Sequence, residues 1–126
     1  MKFLGTGSAL PKKVVSNDDL AQVMDTSDEW IRSRTGIGMR HIAVEETTTS
    51  MAVEAAEKAL ADAKISGCEI DLIIAGTISP DYIFPSLACE VQAAIGAKSA
   101  TAFDLSAGCS GFLFALATAD AYFRTG

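Results

Sequence analysis

The stretch Thr101-Ala102-Phe103-Asp104-Leu105-Ser106-Ala107-Gly108-Cys109-Ser110-Gly111-Phe112 reads as a short strand, a tight turn of small residues and the start of a helix. The helix runs from Cys109 to about Arg124. It carries Phe112, Leu113, Phe114, Leu116, Ala117, Ala119 and Phe123, apolar on nearly every side. A helix apolar all round is expected to be buried. Upstream, Ile70-Asp71-Leu72-Ile73-Ile74-Ala75-Gly76-Thr77 is an almost unbroken apolar run. Such runs suit strands covered on both faces, as in a parallel sheet.

Between the two strands, Pro85 suits the first turn of a helix over 86–95, which Gly96 ends. Before them, Thr47-Thr48-Thr49-Ser50 leads into an alanine-rich helix over 51–64, with Met51, Ala55, Leu60 and Ala63 along it. Further out, Asn17 caps a helix whose Leu20, Val23 and Met24 share a face. A second start at Asp25-Thr26-Ser27-Asp28-Glu29-Trp30 stops at Thr35-Gly36, and 39–44 forms a short strand. The opening Lys2-Phe3-Leu4-Gly5-Thr6-Gly7 is read as a strand running into a glycine turn.

Strands alternating with helices over short connections predict an α/β fold with a parallel sheet. Ligands of such sheets bind at the carboxyl ends of the strands. The turns at 77–79 and 106–109 both lie there.

Composition narrows the function. The 126 residues suffice for one compact domain with a modest core. A net charge of −6 argues against nucleic acid, whose phosphates call for a basic excess. The longest apolar stretch, 112–119, falls short of a membrane span, and the N-terminus makes a poor signal peptide. No membrane partner and a cytoplasmic setting are the expectation. Three cysteines at wide, irregular spacing do not form a disulfide framework, and one histidine without CxxC or HxxxH spacing gives no metal site.

Cys109 is the most informative residue. Backbone N–H groups at a helix start lack intrahelical partners and carry partial positive charge, which favours a thiolate and can hold an oxyanion. The alternative is a small buried apolar residue, the usual fate of a free cysteine. Cys89, inside a helix, and Cys68, in a loop, have no comparable setting. A second constellation is Trp30, Arg32, Arg34 and Arg40: an indole beside guanidinium groups suits a nucleotide. On these residues alone, a solvated surface turn is the preferred reading. His41 is read as structural, and Gly5-Thr6-Gly7-Ser8 as a turn without the lysine of a phosphate loop.

Taken together, Asp25-Thr26-Ser27-Asp28-Glu29-Trp30-Ile31, Arg34-Thr35-Gly36-Ile37, Arg40-His41-Ile42, Phe84-Pro85-Ser86 and Ala102-Phe103-Asp104-Leu105 leading to Gly108-Cys109-Ser110-Gly111-Phe112 resemble the signature of the β-ketoacyl-acyl-carrier-protein synthase III family. The resemblance spans nearly the whole chain. It implies a thiolase-like fold, with the helix beginning at the cysteine buried between sheets. It also implies an acyltransferase that starts fatty-acid chains. Acyl-CoA, usually acetyl-CoA, acts as substrate with no permanently bound cofactor; the acyl group passes to Cys109 and is condensed with malonyl carried on acyl-carrier protein.

By the same matching, Thr26, Trp30 and Arg34 fall at the CoA entrance, within a helical insertion over about 16–45. Phe84 matches a residue that closes the acyl pocket of the partner in a homodimer. Chains of that family are well over twice as long, and their second half supplies a histidine and an asparagine for decarboxylation. Residues 1–126 are therefore expected to be an incomplete amino-terminal domain. Alone, it is expected not to complete condensation, and to self-associate or fold poorly. A related acyltransferase of secondary metabolism and a non-catalytic CoA-binding or assembly piece are the alternatives.

Overall fold

The computed structural model describes residues 2–125; Met1 and Gly126, the ends of the expected 1–126 domain, lie outside them. Two units are present, Leu10–Glu46 and a larger one of residues 2–9 with 47–125.

The smaller unit contains β1 (Lys13–Ser16), α1 (Asn17–Ala21), α2 (Asp28–Thr35) and β2 (Met39–Ile42). β1 and β2 pair antiparallel, from Lys13 opposite Ile42 to Ser16 opposite Met39. The cap of α1 is Ser16, not Asn17. The Ser16 hydroxyl accepts the Asp19 N–H at 3.1 Å and the Asp19 carboxylate accepts the Ser16 N–H at 2.8 Å, a reciprocal box. Asn17 becomes the first helical residue and is buried. Because α1 ends at Ala21, Val23 and Met24 stand exposed beyond it rather than on a helical face. α2 starts under Ser27, whose hydroxyl accepts the Trp30 N–H at 3.1 Å, and ends at Gly36 with φ 73°. That left-handed position is the one glycine takes without steric cost. Glu46 closes the unit, accepting the N–H groups of Lys12 at 3.0 Å and Val44 at 3.1 Å.

In the larger unit α3 (Thr48–Ala63) is followed by β3 (Leu72–Gly76), α4 (Leu87–Ile95), β4 (Thr101–Leu105) and α5 (Gly111–Thr125). The expected opening strand is not one: residues 2–7 form no ladder. They lie along α3 instead, where the Thr6 N–H donates to the Asp62 carboxylate at 2.9 Å. Side chains at Gly5 or Gly7 would strike the α3 backbone at Ala59 and Ala55. A strand exists only with a neighbouring ladder, and here a helix is the neighbour.

β3 and β4 are parallel, as expected, in register from Leu72 opposite Thr101 to Gly76 opposite Leu105. The crossover helix α4 packs on α3 and on both strands. Leu87, Ala88 and Val91 of α4, with Ala97 and Ala100 beyond it, form the buried apolar core. Pro85 lies outside the first turn: Ser86 is the cap, and its hydroxyl accepts the Cys89 N–H at 3.3 Å. The Asp104 carboxylate of β4 accepts the N–H groups of Leu87 at 2.9 Å and Ala88 at 2.8 Å, meeting the positive end of α4.

α5 departs from expectation. Gly111 is its one buried residue among those described, while Phe112 is 68% and Phe123 75% exposed. The helix lies against β3 and β4, and the Tyr122 ring stands 6.3 Å from that of Phe103. Two strands cover only one side of a helix. Among the described residues no helix is long and apolar enough to cross a membrane.

Of the carboxylates that tie main-chain N–H groups, one in each unit is held far below its ordinary range. Glu46 is held at about 2 by the N–H groups of Val44 and Lys12 and by its own. Asp81 is held at about 2 by the hydroxyl and N–H of Thr49 and the N–H of Thr48, at the start of α3. Both folded values lie below the unfolded ones. Each group therefore stabilises its unit above the ordinary carboxylate range and loses that contribution as pH falls from about 4 toward 2. Acid titration followed by circular dichroism is expected to show this loss, and Glu46→Gln and Asp81→Asn to remove it from the curve. Unchanged acid profiles in both variants would refute the assignment.

Candidate functional site

β3 and β4 end level, and the Thr77 N–H donates to the Leu105 carbonyl at 3.2 Å. After Leu105 the chain leaves the sheet through Ser106 and Ala107 and reverses at Gly108, φ 52°. One 3-10 turn, Gly108–Ser110, precedes α5. The Ser110 N–H donates to the Ala107 carbonyl at 3.1 Å, and the Gly111 N–H to that of Gly108. Cys109 therefore lies in this turn, two residues ahead of the α-helix rather than at its first position.

Gly111 rests on Gly76. A Cβ at Gly76 would stand 3.2 Å from the Gly111 carbonyl carbon and 3.3 Å from its oxygen. With no side chain on either residue, the start of α5 sits directly over the end of β3. Cys109 is thus held at the carboxyl edge of the sheet, and it is exposed. It is not the packed apolar residue of the alternative reading. The first N–H groups of a helical turn have no acceptor within it. An exposed sulfur beside them can attack a carbonyl carbon, and the same N–H groups can hold the resulting oxyanion.

The other cysteines differ. Cys89 is half-buried in α4, its thiol 3.8 Å from the Ala102 carbonyl. Cys68 is exposed in a 3-10 turn, its thiol 3.2 Å from the Ser66 hydroxyl. Phe84, also in the larger unit, stands in the loop before α4 and is 89% exposed, beside Ile83 at 97%.

The smaller unit holds the aromatic–arginine constellation. Trp30 and Arg34 lie one turn apart on α2, with the guanidinium 4.4 Å from the indole centroid. Trp30 is 53% exposed. Arg34 has no carboxylate partner among the described residues; its guanidinium covers one face of the indole and donates to the Trp30 carbonyl at 3.4 Å. Thr26 lies just before the cap of α2, half-buried. Arg32 and Arg40 do not join this pair. Arg32 Nε donates to both oxygens of Asp28 at 2.8 Å, and Arg40 donates to the Val15 carbonyl at 3.0 Å and to the Asn17 side chain. His41 Nδ1 meets the Pro11 carbonyl at 2.5 Å, so that nitrogen donates, in keeping with a structural role.

Asn17 and Asp28 join Arg32 and Arg40 in a set that their separate places along the chain do not announce. One signal was available: Ser16 with Asp19 three residues on is a capping box, which moves the cap off Asn17 and sends its amide inward.

Gly108 tests the placement of the sulfur. Nothing lies within 4 Å of a Cβ there, so only the left-handed backbone resists substitution. Gly108→Ala is expected to lower stability by about 1 kcal/mol, and Gly108→Asn, which tolerates this region, by less. Urea midpoints check this; equal stability of the alanine variant and the parent would refute it.

No family model matches the chain. Curated relatives do. It is 57% identical over 125 residues to β-ketoacyl-acyl-carrier-protein synthase III 1 of Bacillus anthracis, which covers 98% of this chain and 40% of the relative. Identity to the synthase III of Streptococcus suis is 60% over 117 residues, 93% of this chain and 36% of the relative. The crystal structure of 3-oxoacyl-acyl-carrier-protein synthase III from Aquifex aeolicus superposes with TM-score 0.96 at 54% identity, covering 99% of this chain and 41% of that one. The priming β-ketosynthase of the R1128 polyketide pathway superposes with TM-score 0.87 at 40% identity over 91% of this chain and 35% of that one. The chain thus spans about two fifths of the length of the curated relatives it matches. The fold is the thiolase-like α/β type, in part. In sequence and in fold, this chain corresponds to the amino-terminal portion of the β-ketoacyl-acyl-carrier-protein synthase III family.

Proposed function

We propose that this chain supplies the acyl-accepting part of a β-ketoacyl-acyl-carrier-protein synthase III. The Cys109 sulfur, as thiolate, attacks the thioester carbonyl of an acyl-CoA, acetyl-CoA in the first instance. The N–H of Cys109, ahead of the committed N–H groups of Ser110 and Gly111, holds the oxyanion. The C–S bond to CoA breaks, CoA takes the proton, and an acyl-Cys109 thioester remains. Malonyl on acyl-carrier protein then loses CO2, and its carbon attacks that thioester. The new C–C bond forms as Cys109 leaves. This second half calls for the histidine and asparagine that the resemblance sets in the further length of the relatives.

The coenzyme's adenine stacks on Trp30 and Arg34, with Thr26 at the same entrance. Phe84 and the exposed apolar residues of α5 meet a second copy or further chain, in a cytoplasmic homodimer with no resident cofactor and no nucleic-acid or membrane partner. The observation that carries the reading is an exposed Cys109 where β4 turns into α5, inside a segment more than half identical to enzymes of this name. A starter enzyme of polyketide synthesis is the second reading, favoured by the 40% identity to a priming β-ketosynthase.

Incubation with acetyl-CoA and peptide mass analysis is expected to find one acetyl group on Cys109. Cys109→Ala should lose it, whereas Cys68→Ala and Cys89→Ala should keep it. A folded sample that gains no acyl mass from any acyl-CoA would leave coenzyme binding without catalysis as the better account. A longer or branched acyl-CoA that labels faster would favour the polyketide reading.

Sedimentation velocity is expected to give species heavier than the 13.2 kDa monomer, because α5 leaves Phe112, Leu113 and Phe123 exposed. A monodisperse monomer that melts cooperatively would contradict this.

A further inference from the structure

Helix α2 carries Trp30 and Arg34, yet none of its residues is buried. Eight residues without a buried face do not hold a helix in place by propensity alone. What holds it is polar. Asn17, 1% exposed, is the largest fully buried side chain in the described chain. Its Nδ2 donates to Asp28 Oδ1 at 2.8 Å, at the first residue of α2, and to the Ile37 carbonyl at 2.7 Å, just past the Gly36 cap. One amide therefore grips both ends of the helix. Its own N–H donates to the Gly38 carbonyl at 3.2 Å, and its Oδ1 accepts from Arg40, which also holds the Val15 carbonyl of β1. Asp28 in turn receives Arg32, whose guanidinium lies against Gly38, where a Cβ would strike it. The Asn17 hydrogen bond, then Arg32, hold the Asp28 carboxyl below its usual range.

We infer that Asn17 is a positioning residue for the Trp30–Arg34 pair: with Asp28, Arg32 and Arg40 it forms a buried-amide clamp that fixes α2, and so aims the indole and the guanidinium at the adenine nucleotide. This inference rests on the coenzyme reading above. It divides the arginine cluster by role. Arg34 meets the ligand; Arg32 and Arg40 are committed to the frame.

Trp30 is the sole tryptophan, so its fluorescence reports this helix alone. Titration with coenzyme A is expected to saturate in the unsubstituted chain and to weaken in Arg34→Ala. Asn17→Ala should weaken it about tenfold, the scale of one strong hydrogen-bond set lost. It should also lower the anisotropy of Trp30 while leaving the alkylation rate of Cys109 unchanged. Asp28→Asn keeps an oxygen that accepts from the Asn17 amide and is expected to hold affinity to within about threefold, since chiefly the exposed pairing with Arg32 is weakened, whereas Asp28→Ala removes that acceptor and should weaken binding as Asn17→Ala does.

Arg34→Ala weakened with Asn17→Ala at the parent's affinity would overturn the clamp alone. A parent that does not saturate, or that titrates like Arg34→Ala, would overturn the coenzyme reading and this inference with it. If Asn17→Ala does not fold, the Asp28 variants decide: weakened binding in Asp28→Ala with near-parent binding in Asp28→Asn supports the clamp, and Asp28→Ala at the parent's affinity overturns it.

Discussion

At Gly76 and Gly111 the backbone of a helix lies on the backbone of a strand, at a spacing that a side chain on Gly76 would crowd. The position of Cys109 follows from that contact. The parallel register brings Gly76 level with Leu105, so both strands release the chain at one edge. α5 must then begin over that edge, and the short path from Leu105 to Gly111 leaves room for one left-handed residue and one 3-10 turn. The sulfur occupies that turn. From the other side, Asp104 locks β4 to the start of α4 through two N–H groups, so the strand that delivers Cys109 is fixed at its far face as well.

The acidic character of the chain has a structural use. Asp19, Glu46, Asp81 and Asp104 each accept main-chain N–H groups at helix starts or loop closures. Asp28 accepts an amide and a guanidinium. Acids at such positions complement the positive ends of helices and satisfy donors that the helices leave unpaired. The net charge of −6 thus need not describe a partner surface. The smaller unit has Asn17 as its buried side chain and is held chiefly by this polar network, while the larger unit has an apolar centre around Leu87, Ala88 and Val91. Polar networks are directional, and a helix held by one keeps its side chains aimed without being buried.

Within the larger unit, most of the exposed large apolar side chains stand on α5 and on the loop that holds Ile83 and Phe84. Both flank elements that bear on the cysteine: α5 begins beside it, and the loop precedes the helix that Asp104 anchors. The relatives extend well beyond the matched region, to about two and a half times this length. Apolar side chains standing open at the site edge suit a surface that further polypeptide covers.

Local sequence was enough to place the last strand over Thr101–Leu105, the stop at Gly36, the helix ended by Gly96 and the turn at Gly108, because each is set by residues within a few positions of itself. The motifs around Trp30 and Cys109 were legible for the same reason, since they are contiguous. The sequence did not show that residues 2–7 would lie on a helix or that Lys13–Ser16 would pair with Met39–Ile42. Those outcomes depend on what stands beside a segment in space, and a ladder or a buried face needs a partner that no local pattern names. Asn17 marks the boundary between the two. Its neighbours announce a helix start, yet only the fold turns its amide inward, where partners 11 and 20 residues away satisfy it.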